Sequence, residues 1–459
     1  RAREGLTVVQ PLLIEALAET ANPDGAFASF DRFLSQLPAG VQLFGLLRAN
    51  PQLMTLVAQI MGSAPRLANI LSHRRRLLDA VLDPKVVGAL PSRAEIQALV
   101  AAELSGAADL QEKLDRARVL GAEQSFIIGV RVLSGGIRAA QAGGAYSMLA
   151  EELIGGLQAA VEADFVASHG TVEGGGAAIV AMGKLGGSEM TAASDLDLIV
   201  VYDYAADAQQ SDGPKPLAVS QYYARLTQRL ISALSAPTAE GRLYDVDMRL
   251  RPSGQKGPVA TQLSSFVEYQ SKEAWTWEHM ALTRARLITG SPALRAKVEA
   301  AIHATLIRPR DRQSITDDVR KMRGLIAQEK GTKDIWDLKQ VRGGLVDLEF
   351  IAQHLQLVHA AAHPEVLSTN TPEVFQRLEA ARLLAPVDAD LLRPAARLMA
   401  DLTQILRLCY EGVFDPATAP EDLKRLLATV GDAPDFASLE GQLRQVLTEV
   451  AERFEALVC

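Results

Sequence analysis

The run Gly183-Lys184-Leu185-Gly186-Gly187-Ser188-Glu189, followed shortly by Ser194-Asp195-Leu196-Asp197-Leu198, governs the reading of the whole chain. Ala177-Ala178-Ile179-Val180-Ala181-Met182 before it is a short apolar run of the kind that forms a buried strand. Leu196-Asp197-Leu198-Ile199-Val200-Val201-Tyr202 after it is rich in β-branched residues and reads as a second strand. Side chains two apart on a strand project to one face, so Asp195 and Asp197 present two carboxylates side by side. Such a pair repels itself unless a cation lies between, and hard oxygen ligands of this kind suit Mg²⁺. Gly186 and Gly187 let backbone N–H groups approach phosphate oxygens, and Ser188 adds a hydroxyl near the expected start of a short helix. The run is not a Walker loop, which needs four residues before Gly-Lys and then Ser or Thr, whereas Leu185 follows Lys184 here.

Further along, Tyr244-Asp245-Val246-Asp247-Met248-Arg249-Leu250-Arg251-Pro252 lies in a stretch, Leu243 to Leu250, that alternates apolar and charged residues as a strand does. A third carboxylate from a neighbouring strand completes a two-metal site, which activates one oxygen and neutralises another. Asp245 and Asp247 share one face, as do Arg249 and Arg251, and the arginines are placed to hold phosphate or pair with the carboxylates. Taken singly, a DxD is common on solvated edges, GKLGG is a turn and RLRP is a surface patch. The joint order of strand, GG-Ser turn, DxD strand and later Asp strand is far more specific. It is the order of polymerase-beta-type nucleotidyltransferases.

The rest of the chain fits a larger, mainly helical protein. Its 459 residues suggest about three domains. It is 48% hydrophobic but only 5% aromatic, so cores built from Ala and Leu are expected, and these residues favour helices. A net charge of −8 and the lack of a basic tract argue against a partner that is nucleic acid. The two cysteines, Cys409 and Cys459, form no CxxC pair, which fits a reducing cytoplasm. No apolar run of about 18 residues and no signal peptide is present, so no membrane partner is expected. The chain opens on Arg1 rather than Met, as a fragment of a longer protein would.

Residues 1–168 read as a helical region, with three-to-four spacing of apolar residues from Gly106 to Ala142 and again from Met148 to Phe165. Asn22-Pro23-Asp24-Gly25 and Asp83-Pro84 mark connections. Residues 169–290 open on a glycine-rich linker and carry the strands, a polar loop from Asp207 to Pro216, and an amphipathic helix through Tyr222, Leu226, Leu230 and Leu234. Residues 291–459 return to helices, clearest at Asp311 to Lys330, Leu345 to His359, Asp388 to Cys409 and Ala437 to Leu457. The fold expected is α+β and mainly helical: a nucleotidyltransferase α/β domain flanked by N- and C-terminal helical domains.

The segments GKLGGSEMTAASDLDLIVVYD, LYDVDMRLRPSGQKGPVA, EAWTWEHMALTRAR and GGLVDLEFIAQHLQL resemble glutamine synthetase adenylyltransferase, a bifunctional family with an N-terminal adenylyl-removing half and a C-terminal adenylylating half. The likeness extends to Leu46-Leu47-Arg48-Ala49-Asn50-Pro51 and His73-Arg74-Arg75-Arg76-Leu77-Leu78-Asp79. Three details resemble the adenylylating half: Arg251-Pro252-Ser253-Gly254, the paired Trp275 and Trp277, and Asp347 in Gly343-Gly344-Leu345-Val346-Asp347-Leu348-Glu349. Arg342 departs from the smaller residue usual before the two glycines.

The resemblance implies ATP as substrate, Mg²⁺ as cofactor, a tyrosine of glutamine synthetase as acceptor, and the PII signalling protein and glutamine as effectors. It implies that the adenylyl-removing half lies outside this fragment. Asp195, Asp197 and Asp247 are the implied catalytic residues and metal ligands, with Asp247 preferred over Asp245. Gly186, Gly187, Ser188, Arg249 and Arg251 are the candidates for the triphosphate. Lys339, Asp347 and Glu349 are further nucleotide-binding candidates, although Asp347 and Glu349 could equally cap or flank a helix that begins after the glycines. Trp275 and Trp277 either stack on adenine or, more in keeping with their size, fill a core or interface. His354 and His359 are five apart, a poor spacing for two ligands on one helix face. Two rival functions remain open: the phosphorolytic, adenylyl-removing half of the same family, and a template-free RNA nucleotidyltransferase.

Overall fold

The structure is a computed structural model and describes residues 2–18, 20, 23–35, 51–73, 77, 90–410 and 412–458. The Asp83-Pro84 connection, Cys459 and most of the two lead-in segments lie outside the described residues.

Among the described residues seven helices come first: α1 (Ala2–Ala18), α2 (Pro23–Ser35), α3 (Pro51–Ser63), α4 (Pro65–His73), α5 (Arg93–Ser105), α6 (Leu110–Leu133) and α7 (Ala139–His169). The periodic stretch from Gly106 to Ala142 is thus two helices, parted around Gly135-Gly136. The N-caps explain where they start. Ser92 and Glu95 form a reciprocal capping box on α5, and the Asp109 carboxylate accepts the Glu112 N–H on α6. α7 is the central strut, packing against α5, α6 and the later helices Val219–Ser235 and Pro386–Cys409.

The central region interleaves strands and helices: β1 (Gly176–Ala181), α8 (Gly183–Gly186), β2 (Leu196–Asp203), α9 (Val219–Ser235), β3 (Val246–Asp247), β4 (Thr261–Gln262), α10 (Leu263–Lys272), α11 (Thr276–Leu282) and β5 (Arg286–Leu287). β1 pairs antiparallel with β2 along its full length, from Gly176 opposite Asp203 to Ala181 opposite Leu198, and on its other edge with β5. Ala178, Ile179, Val180 and Ala181, and Val201 opposite Ala178, are fully buried, which is why this stretch is apolar without alternation.

The free edge of β2 is shared by two short parallel strands. β3 pairs at its start, with Asp247 opposite Asp197, and β4 near its end, with Thr261 opposite Val201. The strand expected through Leu243 to Leu250 therefore contracts to two residues. The cause is local chemistry. Asp247 Oδ1 accepts the Arg249 backbone N–H at 2.8 Å, which turns the chain out of the ladder. Arg251 then collects the carbonyls of Met248 (2.8 Å) and Pro258 (3.0 Å), closing the loop onto itself.

The C-terminal region is helical: α12 (Pro292–Leu306), α13 (Arg312–Lys330), α14 (Leu345–His359), α15 (Thr371–Ala380), α16 (Pro386–Cys409), α17 (Glu421–Val430) and α18 (Phe436–Leu457). Asp311 caps α13 and Asp435 caps α18, so the expected helices appear within two residues of their expected limits. α14 is buried around most of its circumference and packs against α11, α13, α15, α16 and α18. The chain is α+β and mainly helical, with one small mixed sheet. No described helix is long and apolar enough to cross a membrane.

Candidate active site

Ligand oxygens of Asp195, Asp197 and Asp247 all lie within 4.8 Å of one another. Asp195 ends the loop entering β2 and is exposed; Asp197 and Asp247 are half-buried and share a register position on adjacent strands. Burial, followed by the charges of Asp195 and Asp247, pushes the Asp197 carboxyl up to about 6. Asp247 moves the other way, because the Arg249 guanidinium hydrogen-bonds it and holds its carboxyl below the usual range. An acid of raised pKa inside a cluster of three carboxylates is a group short of a cation, and the all-oxygen donor set suits a divalent ion such as Mg²⁺. Among the described residues this is the group of His, Cys, Asp and Glu side chains arranged to hold one. Asp245, by contrast, turns outward and pairs with Arg242.

The glycine pair sits differently from expectation. The short helix α8 precedes Gly187 and Ser188 instead of following them. The N–H groups of Gly186, Gly187 and Ser188 donate to the carbonyls of Met182, Gly183 and Leu185 at 2.8, 3.0 and 3.2 Å, so they are already spent. Gly186 is required by packing: a Cβ there would collide with the Arg284 carbonyl oxygen and lie 2.8 Å from that of Ala181. Gly183, at φ 52°, takes a left-handed turn that brings the α8 N-terminus against the Asp197 carboxylate. Gly186→Ala should consequently cost about 1–3 kcal/mol of stability, as overpacking does. Thermal unfolding checks this, and an unchanged midpoint would show that Gly186 has room to spare.

Two arginines from the Thr283-Arg284-Ala285-Arg286 segment hold α8 in place, and neither figured among the expected site residues. Arg284 is buried, donates to Gly183 O at 3.0 Å, and pairs with Glu189 and, at 3.2 Å, with Glu349. Arg286 donates to Gly186 O at 3.1 Å and Leu185 O at 2.8 Å, satisfying the last carbonyls of α8, and pairs with Glu151 of α7. Asn370, the N-cap of α15, donates to Gly187 O at 3.2 Å. The one sequence signal for these arginines was two cations in a segment that otherwise closes a buried helix.

Of the later candidates, Glu349 and Lys339 face the cavity beside α8, together with Lys184. Asp347 and Arg251 are not brought there. Asp347 is 0% exposed and accepts from Arg323, from Arg342 at 2.9 Å and from the Gly343 N–H, so it is the anchor of the α14 start. The unusual Arg342 is accounted for by that bond, its pairing with Glu455 and its position 4.4 Å over the Phe454 ring. Arg251 spends its guanidinium on loop carbonyls. Trp275 is 71% exposed and Trp277 38%, so neither fills a core. His354 is buried against Thr316 at 3.0 Å.

Comparison with known proteins agrees with this geometry. A glutamate-ammonia ligase adenylyltransferase family model matches residues 54–301, and a GlnD PII-uridylyltransferase model matches residues 297–458. Among similar curated proteins are bifunctional glutamine synthetase adenylyltransferase/adenylyl-removing enzymes of Rhodopseudomonas palustris strain BisB5 and of Xanthobacter autotrophicus. The first is 51% identical over 98% of this chain and 45% of its own length; the second is 50% identical over 100% of this chain and 46% of its own length. The chain spans about half the length of the curated relatives it matches. With half of its residues identical to such relatives along nearly its whole length, and the three carboxylates gathered at one end of β2, the chain belongs to the glutamate-ammonia ligase adenylyltransferase family.

Proposed function

We propose that the chain is an adenylylating unit, moving AMP from ATP to a tyrosine hydroxyl of glutamine synthetase. The observation that carries this is the meeting of Asp195, Asp197 and Asp247 within 4.8 Å, with the start of α8 against the Asp197 carboxylate. The tyrosine oxygen forms a bond to the α-phosphorus, the bond from that phosphorus to the α–β bridging oxygen breaks, and the electron pair departs with pyrophosphate. Asp195, Asp197 and Asp247 would hold Mg²⁺, which when bound neutralises the charge that builds on the phosphoryl oxygens. Asp247, kept ionised by Arg249, orients the incoming hydroxyl and receives its proton at a carboxylate oxygen. Positioning and charge neutralisation do most of the work in such transfers.

Ser253, the Trp275 and Trp277 pair and Asp347 support the adenylylating half over the adenylyl-removing one. In the same reading, residues 1–168, 169–290 and 291–459 are the helical, catalytic and helical domains, supported by strands that, among the described residues, all fall between Gly176 and Leu287. A cytoplasmic setting, where ATP and glutamine synthetase are found, and effector roles for PII and glutamine belong to the proposal too. The decisive assay supplies labelled ATP, Mg²⁺ and unmodified glutamine synthetase. Label on the synthetase is expected, with Asp245→Asn near wild type. Efficient release of AMP from modified synthetase with phosphate as co-substrate, and no labelling from ATP, would instead mark the adenylyl-removing half.

A further inference from the structure

Beside α8 lies a cavity of about 420 Å³, walled by α8 on one side and by the 332–349 segment and the end of α16 on the other. Three cations line it: Lys184 from α8, Lys339 from the turn before α14, and Arg407 from the last turn of α16. They come from three separate elements that meet only in the folded chain. None of the three forms an ion pair or a side-chain hydrogen bond among the described residues. Yet they are close enough to act on one another: Lys184 is pushed down by burial and by the charges of Lys339, Arg407 and Arg284, with Glu349 the one carboxylate opposing them.

Glu349 is itself shared with Arg284, which also holds Glu189, so two carboxylates stand among four cations. Among the described residues the remaining acids of the lining, Asp334 and Asp337, each accept a backbone N–H of their own turn, from Trp336 at 3.0 Å and Gln340 at 3.2 Å. Acids and cations are thus equal in number among the described residues, and what marks the cluster is that Lys184, Lys339 and Arg407 meet at one cavity with no direct partner there. It also lies where the reaction sends charge. α8 begins at Gly183 against Asp197, and Lys339 is near enough to favour the ionised form of Asp197. The N–H groups of Gly186, Gly187 and Ser188 are already bonded, so a polyphosphate chain at this point needs other donors.

We propose that Lys184, Lys339 and Arg407 form the receptor for the β- and γ-phosphates of the nucleotide and for the pyrophosphate that leaves. The assignment rests on the adenylylating reading above and names side chains where that reading named a glycine-rich turn. Each ammonium or guanidinium donates to phosphate oxygens, and their joint positive charge stabilises the negative charge that the bridging oxygen keeps when its bond to the α-phosphorus breaks.

The test is titration of inorganic pyrophosphate in EDTA, so that the metal site contributes nothing, into the chain and its variants. Lys339→Gln and Arg407→Gln, both at exposed positions, should each weaken binding on the order of tenfold, a loss typical of one charge-assisted contact. The double variant should lose on the order of a hundredfold, and Lys184→Met at least as much as either single change. Raised KM for ATP with unaltered binding of adenosine should accompany these losses. A double variant that bound pyrophosphate as tightly as the wild type would overturn the receptor, even if labelled ATP still adenylylated the synthetase. Conversely, pyrophosphate binding that depended on the cations, in a chain unable to adenylylate, would uphold the receptor and remove the adenylylating reading.

Discussion

Asp197→Asn is expected to lose at least about a hundredfold in transfer rate while its metal-free form unfolds at a higher temperature than the wild type. The two effects have one source. Asp197 is forced beside Asp195 and Asp247 in a half-buried position, and its carboxyl is pushed up to about 6. An acid whose pKa is raised on folding gives stability that is complete below its unfolded value, near 3.8, and is lost as pH rises through 6. At neutral pH the metal-free fold therefore bears the whole cost, with a ceiling of about 3 kcal/mol at 1.36 kcal/mol per pH unit. The amide keeps the shape and abolishes that cost. It also removes a charged ligand, and a hundredfold loss corresponds to about 2.7 kcal/mol of transition-state stabilisation.

The pH dependence separates this account from simple repacking. The stability gain of Asp197→Asn should be largest above pH 6 and vanish near pH 4, and Mg²⁺ should stabilise the wild type but not the variant. Asp195→Asn should also lose transfer, and it should ease the fold by removing one of the charges that push Asp197 up. Asp247→Asn should show no gain, since Arg249 would lose the carboxylate that now binds it. Calorimetry across pH decides the matter. A metal-free Asp197→Asn that melted below the wild type at pH 7.5 would show that the carboxylate is held by attraction, contrary to the geometry.

The parts of this structure that could be read from the sequence are those set by local chemistry. The β-branched run at Leu196–Asp203, the Asp311 cap and the α14 limits Leu345 and His359 all follow from neighbours a few residues away. The carboxylate cluster was also legible, because a DxD on one strand and an Asp on the next have few ways to be arranged in a small sheet. What could not be read depends on partners far along the chain. Gly186 and Gly187 look like a phosphate turn, but the need for glycine comes from Arg284, about a hundred residues on. The cations Lys184, Lys339 and Arg407 are unremarkable singly, and only the meeting of α8, α14 and α16 groups them. The alternation across Leu243–Leu250 was real, yet Asp247 and Arg251 spend their hydrogen bonds on a turn, and no periodicity reveals that.

Asp347→Ala should lower stability by about 3–5 kcal/mol and leave the KM for ATP unchanged at temperatures where the variant is folded. Asp347 looked equally suited to touching nucleotide or to fixing the start of α14, and its surroundings favour the second. Its carboxylate is fully buried and takes hydrogen bonds from Arg323, Arg342 and the Gly343 N–H. Truncation would strand the Arg323 guanidinium, itself only 4% exposed, without its anion, and would free the Gly343 turn that lets α14 begin. Breaking a buried pair by removing one partner is the costly way to lose it, because the remaining charge keeps its desolvation penalty. Asp347→Asn should cost less, since the amide oxygen can still accept from Gly343. Glu349, two residues on, makes the contrast: it lines the cavity, so Glu349→Gln should change the KM for ATP more than the melting temperature. Were Asp347→Ala to melt with the wild type while raising the KM tenfold, Asp347 would be a nucleotide ligand and the role drawn from its burial would be wrong.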